Sequence, residues 1–118
     1  MSPAAPGCVF CRVLAKEVPA REAYSGELVY AFHDVHPVAQ VHVLVVPRQH
    51  IADASEIGTQ HGPLLVEMMS AANTVAGQEG IAASGYRLVF NTGRDSGAEV
   101  RHLHMHVLGG RRLAWPPG

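Results

Sequence analysis

Three histidines alternate with apolar residues in the segment 102–108, which has the sequence HLHMHVL. Successive side chains of a β-strand point to opposite faces, and neighbours on one face lie about 7 Å apart. The alternation therefore predicts a strand that buries Leu103, Met105 and Val107 on one face and carries a row of imidazoles on the other. Because the pKa of histidine is ordinarily about 6.5, such a row can supply a nucleophile, a proton donor or a metal ligand near neutral pH.

Hydrophobic periodicity along the rest of the chain predicts an α+β fold. Strands are predicted over residues 21–24, 28–33, 41–46, 86–91 and 102–108, and helices over residues 9–16 and 60–79. A run of strands with one long and one short helix is typical of a mostly antiparallel sheet, here of five strands, with 41–46 as a central strand. The long helix is expected to bury an apolar stripe formed by Leu65, Met68, Met69, Ala72, Val75 and Ala76.

The composition is that of a globular protein. The chain has 118 residues, of which 47% are hydrophobic and 16% charged. A single domain is expected over residues 1–118, with a loose tail at 1–7 and an irregular tail at 109–118. A formal net charge of −1 provides no basic field for nucleic acid, and no apolar run approaches the roughly 20 residues of a membrane helix. The N-terminus has no signal-peptide features, which predicts a cytoplasmic protein.

The order of strand, glycine-containing loop and histidine strand favours phosphoryl chemistry. A neutral histidine nitrogen can attack phosphorus covalently when the other nitrogen carries the proton and donates a hydrogen bond to an acceptor. His104 is best placed for this role, because His102 and His106 lie on either side to orient the row or bind phosphate oxygens. Backbone N–H groups of residues 97–99 can bind the same oxygens, and Glu99 can donate a proton to the leaving group.

Other interpretations of these residues stay open at this point. The row could be the polar face of a half-buried strand, which three same-face histidines disfavour, or a metal site with a further ligand. His42, taken alone, is more often a satisfied core histidine than a functional one. Asp34 could accept hydrogen bonds from a ribose diol, although its position before Pro37 favours a turn cap.

Cys8 and Cys11 form a C-x-x-C pair and are the only cysteines in the chain. In a cytosolic protein such a pair is redox-active or binds metal. Two thiolates at this spacing can hold one zinc with two further ligands, for which His50 and His102 are the candidates. The alternatives are two buried thiols without metal, or a thioredoxin-like motif, which the absence of a βαβ pattern disfavours.

The segment 102–108 resembles the signature of the histidine triad (HIT) superfamily. Further similar segments occur at 31–34, 45–50 and 91–93, and the ending 108–118 resembles the histidine triad nucleotide-binding (Hint) branch. The resemblance implies a HIT-like domain that forms a homodimer with its two sheets joined into one. It also implies a site for a purine nucleoside monophosphate, and hydrolysis of nucleoside phosphoramidates through a nucleotidyl-histidine intermediate.

The same resemblance implies roles for individual residues. His104 corresponds to the nucleophile, with His42, His102 and His106 as supporting catalytic residues. The nucleotide would contact a ribose segment and a phosphate segment that together comprise His33, Asp34, Val35, Asn91, Gly97, Ala98 and Glu99, as well as His104 and His106. In similar members zinc is held by residues that correspond to Cys8, Cys11, His50 and His102.

Two positions bear on the leaving group. Ala98 stands where members of the family commonly have Gln, which predicts a changed rate or leaving-group preference rather than loss of function. Glu99 is Ser in some branches, so the group that protonates the leaving amine stays open.

The alternative functions are a dinucleoside polyphosphate hydrolase or nucleotidylyltransferase of the same superfamily, and a nucleotide-binding interaction module with little catalysis.

Overall fold

A computed structural model describes residues 5–118, so that residues 1–4 of the predicted loose tail lie outside the described residues. Within this range the chain forms two α-helices and five strands, with three short 3-10 helices between them. The helices are α1 (Val9–Leu14) and α2 (Gly62–Gln78), and the strands are β1 (Glu22–Ser25), β2 (Val29–His33), β3 (Val41–Pro47), β4 (Tyr86–Phe90) and β5 (Met105–Gly109). None of the described helices is long and apolar enough to cross a membrane.

The five strands form one antiparallel sheet in the order β1-β2-β3-β5-β4. β3 is central and almost wholly buried, as its run of β-branched residues predicts. β1 and β2 form the hairpin expected around Gly26, and β4 lies at the other edge of the sheet. The predicted fold class, α+β with an antiparallel five-stranded sheet, one long helix and one short helix, is confirmed.

Helix α2 covers one face of the sheet. Its buried residues are Leu64, Met68, Ala71, Ala72, Val75 and Ala76, which pack with Val43, Val45, Leu103, Met105 and Val107 of the strands. The predicted burial of Leu65 and Met69 is wrong, because these side chains are 36% and 48% exposed. Each follows a buried residue by one position, about 100° around the helix. The exposed and the buried residue of each pair are both apolar, so hydrophobic periodicity alone could not tell which of them faces the core.

Helix α1 covers part of the opposite face with a second, smaller apolar cluster. Phe10 and Val13 of α1 pack there with Tyr30, Phe32, Leu44 and Val46. Because Leu103, Met105 and Val107 lie under α2, the imidazoles between them project towards the α1 side. As predicted, the segment therefore buries its apolar residues on one face of the sheet and carries its histidines on the other.

Strand β5 begins three residues later than the alternation predicts. It starts at Met105, so His102 lies in the segment that leads into the strand. The register that pairs Val45 with Met105 would set Pro47 opposite Leu103, and proline has no N–H to continue the ladder. The N–H of Leu103 instead donates to the carbonyl of Ile51, at 2.6 Å. At its other end β5 includes Gly109, which the sequence assigned to the irregular tail.

Candidate active site

A cavity of about 590 Å³ opens on the α1 side of the sheet, and we call it the histidine cavity. One wall is apolar and comes from α1, β2 and β3, with Val9, Phe10, Val13, Phe32 and Leu44. The structure also brings to this cavity every residue predicted to contact nucleotide, namely His33, Asp34, Val35, Asn91, Gly97, Ala98, Glu99, His104 and His106. His42 lies beside them, whereas His102 is fully buried behind the cavity.

His104 is held by a backbone group that precedes it. Its Nδ1 donates to the carbonyl oxygen of His102 over 2.7 Å. A carbonyl oxygen can only accept, so the proton of the neutral ring lies on Nδ1 and the lone pair on Nε2. The ring packs edge-on against Phe10, with centroids 5.1 Å apart, and lies 5.0 Å from the ring of His106. His104 therefore combines a fixed orientation with an unprotonated Nε2.

His42 and His106 form a hydrogen-bonded pair whose proton positions are set by the backbone. The N–H of Val38 donates to Nδ1 of His42 over 3.1 Å, so the proton of His42 lies on Nε2. That nitrogen is 2.8 Å from Nδ1 of His106 and 3.4 Å from Oδ2 of Asp34. His106 accepts at Nδ1 and therefore carries its own proton on Nε2. The sequence carries no signal for the contribution of Val38.

Burial keeps this pair uncharged. It lowers the pKa of His42, and it lowers the pKa of His106 to about 4, with the neighbouring His104 acting in the same direction. Both rings are thus neutral near pH 7, and His106 is a neutral donor. Donor atoms of Asp34, His42 and His106 lie close enough together to suggest a metal site. The proton on His42 Nε2 occupies the space between them, so a proton relay fits these atoms better than a cation does.

The acidic segment after β2 combines the two roles considered for it. Oδ1 of Asp34 accepts from the N–H of His36 over 2.8 Å, which is the turn cap that the residues alone favour. Oδ2 faces His42, and the carboxylate lines the histidine cavity.

The ring of His33 lies 3.8 Å from Glu79 at the end of α2, away from the other histidines. His33 thus borders the cavity without turning its imidazole towards His104.

The loop after β4 is shaped by two glycines with positive φ. Gly93 and Gly97, with φ of 82° and 80°, bracket the 3-10 helix Arg94–Ser96. The N–H of Gly97 donates to Arg94 O, and the N–H of Ala98 donates to the Ser96 hydroxyl. Both donors are engaged within the loop in this structure, and the contact of Gly97 and Ala98 with phosphate stays a prediction.

The N–H of Glu99 has no hydrogen-bond partner within residues 5–118. It lies at the rim of the histidine cavity, where an anion could accept from it. The Glu99 side chain is exposed and makes no hydrogen bond with the histidines in the described part of the chain. Of the three N–H groups predicted to bind phosphate, at residues 97–99, only that of Glu99 is without a partner in the described part of the chain.

The C-x-x-C pair meets two histidines beside the cavity, as predicted. Sγ of Cys8 and of Cys11 lie 3.3 and 3.5 Å from Nδ1 of His102, and Cys11 Sγ lies 3.3 Å from Nδ1 of His50. The two Nδ1 atoms are 3.2 Å apart. In a tetrahedral zinc site with Zn–S near 2.3 Å and Zn–N near 2.1 Å, nitrogen and mixed ligand pairs are about 3.3–3.6 Å apart. The geometry therefore fits a single small cation.

The protonation of these ligands also fits a cation. Nε2 of His102 donates to the carbonyl of Pro47 over 3.0 Å, which directs the Nδ1 lone pair to the two sulfurs. Burial lowers the pKa of His102 to about 4, so this ring is neutral. Burial raises the pKa of the Cys11 thiol, and a bound cation would favour the thiolate that burial disfavours.

Fold and site together define a class of small α+β proteins in which a row of histidines on an antiparallel sheet faces an open cavity. The chain belongs to the HIT domain family, since residues 15–113 match that domain. It is 46% identical over 110 residues to an uncharacterised HIT-like protein of Synechococcus elongatus, covering 93% of this chain and 96% of that protein. It is 42% identical over 105 residues to a purine nucleoside phosphoramidase of Escherichia coli, covering 89% and 88%.

A solved structure confirms the fold. A HIT family hydrolase from Legionella pneumophila superposes with a TM-score of 0.92 at 39% identity, covering 95% of this chain and all of that one. The family assignment made from the histidine segment is therefore confirmed.

Proposed function

We propose that the protein is a purine nucleoside phosphoramidate hydrolase, which cleaves the P–N bond to release AMP or GMP and an amine. The observation that carries this proposal is the state of His104, whose proton is held on Nδ1 and whose Nε2 is free beside the N–H of His106. An unprotonated, oriented imidazole nitrogen is the group that nucleophilic attack on phosphorus requires. The similarity to a purine nucleoside phosphoramidase supports the same reaction.

The first step forms a bond between Nε2 of His104 and phosphorus while the P–N bond breaks. The positive charge that develops on His104 is stabilised by its Nδ1–H···O bond to His102. His106 donates Nε2–H to a non-bridging phosphate oxygen, and His42 orients His106 from behind. The amine leaves with the bonding electron pair and takes up a proton from solvent, and the exposed Glu99 side chain at the cavity is our candidate for guiding this transfer.

The second step returns the enzyme to its starting state. Water attacks the phosphorus of the nucleotidyl-histidine and loses a proton, and the P–N bond to His104 breaks with its electrons returning to Nε2. The products are the nucleoside monophosphate and neutral His104. Because His104 keeps its hydrogen bond to the His102 carbonyl throughout, the ring needs no reorientation between the steps.

In the proposed complex, three parts of the histidine cavity would contact the three parts of a nucleotide. The purine would lie against the apolar wall around Phe10 and Phe32, because aromatic rings stack favourably on a flat base. The ribose would contact Asp34 and Val35, and the phosphate would contact Asn91, the Glu99 N–H and His106. This placement agrees with the polarity of each part of the cavity.

We also propose that Zn²⁺ binds to Cys8, Cys11, His50 and His102. It would supply a structural cross-link between α1, the segment after β3 and the segment before β5. A C-x-x-C pair kept as thiolates requires a reducing compartment, which supports the proposed cytoplasmic location. Metal analysis of protein purified without chelator tests this assignment, and protein with no bound zinc would contradict it.

We propose that the protein forms a homodimer in which the sheets of the two copies join at the edge strand β4. β4 is an edge strand, and next to it α2 exposes apolar side chains, Val66 at 71% and Met69 at 48%. The hydroxyl of Tyr86 donates to Asn73, so β4 and this side of α2 form one surface. Pairing of β4 with β4 of a second copy would satisfy both edges and cover the apolar surface.

The central test compares wild type with His104→Ala on adenosine 5′-phosphoramidate. Loss of the nucleophile should lower kcat/KM by at least about 10³-fold, while AMP still binds. His61→Ala is the matched control, since His61 lies outside the histidine cavity. Undiminished turnover by His104→Ala would contradict the assignment. Faster wild-type cleavage of a dinucleoside polyphosphate would favour the alternative hydrolase, and AMP binding without turnover would favour a binding module.

A further inference from the structure

Helix α1 takes part in two sites at once. Cys8 and Cys11 at its start point to the metal-ligand cluster, while Val9, Phe10 and Val13 line the histidine cavity. Phe10 lies between the two cysteines in sequence. Its ring contacts Phe32, His102 and His104 edge-on, with centroids 5.4, 5.9 and 5.1 Å away. The wall that would receive the purine is therefore carried by the same turns that would bind the metal.

Apart from the candidate metal ligands, α1 is held on the sheet by one small apolar cluster. The helix has six residues, well short of the roughly 12–15 at which an isolated helix becomes even marginally stable. It packs on the smaller apolar cluster and takes no part in the main core under α2. Its first turn is capped by Cys8 Sγ, which accepts from the N–H of Cys11 at 3.3 Å. Coordination at both sulfurs would tie this turn to His50 and His102, which lie on distant parts of the chain.

We infer that metal occupancy and nucleotide affinity are coupled through α1, with Phe10 as the positioning residue that connects the two sites. Without the metal, α1 samples positions in which Phe10 no longer closes the cavity, and the nucleoside monophosphate binds more weakly. The inference rests on the proposed function, because it takes the nucleotide to lie against the Phe10 wall. Linkage requires the reverse effect of equal size, so bound nucleotide must strengthen metal binding by the same factor.

Two measurements on the full-length chain test the coupling. AMP affinity is measured by calorimetry for zinc-loaded protein and for chelator-treated protein whose circular dichroism shows an intact sheet. The zinc dissociation constant is then measured by competition with a chromogenic chelator, with and without saturating AMP. We expect AMP affinity to fall about tenfold without zinc, and zinc affinity to rise by the same factor when AMP is bound. Equal AMP affinities with unchanged zinc affinity would overturn the coupling and leave the proposed function intact.

The remaining outcomes are also decisive. Absence of AMP binding in every form would overturn the nucleotide site itself. Protein that binds no zinc, or that loses its sheet when zinc is removed, would overturn a coupling confined to α1.

The variant Phe10→Ala should retain zinc, bind AMP more weakly, and show AMP affinity that no longer depends on zinc. Arg12→Ala, an exposed substitution on the same helix, is the matched control. Zinc-dependent AMP affinity that persists in Phe10→Ala would contradict the role of Phe10.

Discussion

Backbone partners give three identical side chains different chemistry. His102 donates Nε2–H to Pro47 O and directs Nδ1 to the cysteines. His104 donates Nδ1–H to His102 O and keeps its lone pair on Nε2. His106 accepts at Nδ1 from His42 and holds its proton on Nε2. In the function that we propose, the row would comprise a metal ligand, a nucleophile and a proton donor, and it is the tautomers that separate these roles.

The sequence predicts the row and the central place of His104, but it cannot predict the tautomers. These depend on main-chain groups of Val38 and Pro47, which lie far from the row in sequence and approach it only in the folded sheet. Almost every residue has a backbone N–H and a carbonyl, so residue type does not show which of these groups will contact a side chain. The same holds for the loop after β4, because residue type does not show that the N–H groups of Gly97 and Ala98 form hydrogen bonds within the loop itself.

Replacing Val38 by proline removes the N–H that fixes the proton of His42. The hydrogen bond from His42 to His106 would then form in only a fraction of molecules. We expect kcat on adenosine 5′-phosphoramidate to fall about tenfold, the equivalent of one hydrogen bond of about 1.4 kcal/mol, with a smaller change in KM. Val38→Ala removes the same side chain but keeps the N–H, so the difference between the two variants isolates the backbone donor. Equal kcat values for the two variants would contradict the relay.

The buried histidines should also make stability depend on pH. Burial lowers the pKa of His106 to about 4 and lowers that of His42, whereas an unfolded chain takes up protons at histidine near pH 6.5. Between these values the unfolded chain binds more protons than the folded chain. The free energy of unfolding should therefore be highest above about pH 6.5 and fall as the pH drops towards about 4.

The variant His106→Asn separates this contribution from those of other groups. Asparagine does not titrate, and its Oδ1 can still accept from His42. Urea unfolding of zinc-saturated protein between about pH 7 and about pH 5 should show a shallower decline for His106→Asn than for wild type. His61→Asn, outside the histidine cavity, is the matched control. The same decline in wild type and His106→Asn would show that His106 does not resist protonation in the folded protein.

At the scale of elements, the sequence predicts well wherever one physical signal dominates. The β-branched run of β3 and the alternation of β5 each have one interpretation. The predicted buried stripe of α2 wrongly includes Leu65 and Met69, because apolar residues continue past the buried face and its limit depends on how the helix packs on the sheet. Helix α1 ends at Leu14, before the predicted Lys16, which adopts a positive φ of 65°.

The most informative element is α1, the shorter of the two α-helices. The C-x-x-C spacing predicts the metal ligands of α1, but the sequence does not indicate that Phe10 between them forms the cavity wall. That double use follows from helix geometry, since residues 8 and 11 share one side of a turn while residues 9, 10 and 13 can face elsewhere. A six-residue helix can thus carry ligands for one site and a wall for another.

At the scale of the whole molecule, the two faces of the sheet are assigned to different tasks. The α1 side carries the histidine cavity and the candidate metal ligands, and the α2 side carries the main core. The proposed dimer surface is formed by β4 and the exposed side of α2. None of the residues in these two elements lines the histidine cavity. Assembly can therefore be disrupted at α2 without substitution of a residue that lines the site.

Val66→Glu should convert the proposed dimer to a monomer. Val66 is 71% exposed in the single chain, so the substitution introduces no charge into the core. A two-fold interface would receive it twice and would bury two carboxylates against apolar surface, which is strongly unfavourable. Sedimentation equilibrium should give twice the chain mass for wild type and one chain mass for Val66→Glu. Ala15→Glu, the same charge added at an exposed position on the α1 side, is the matched control and should remain dimeric. A monomeric wild type would contradict the dimer, and a dimeric Val66→Glu would place the interface elsewhere.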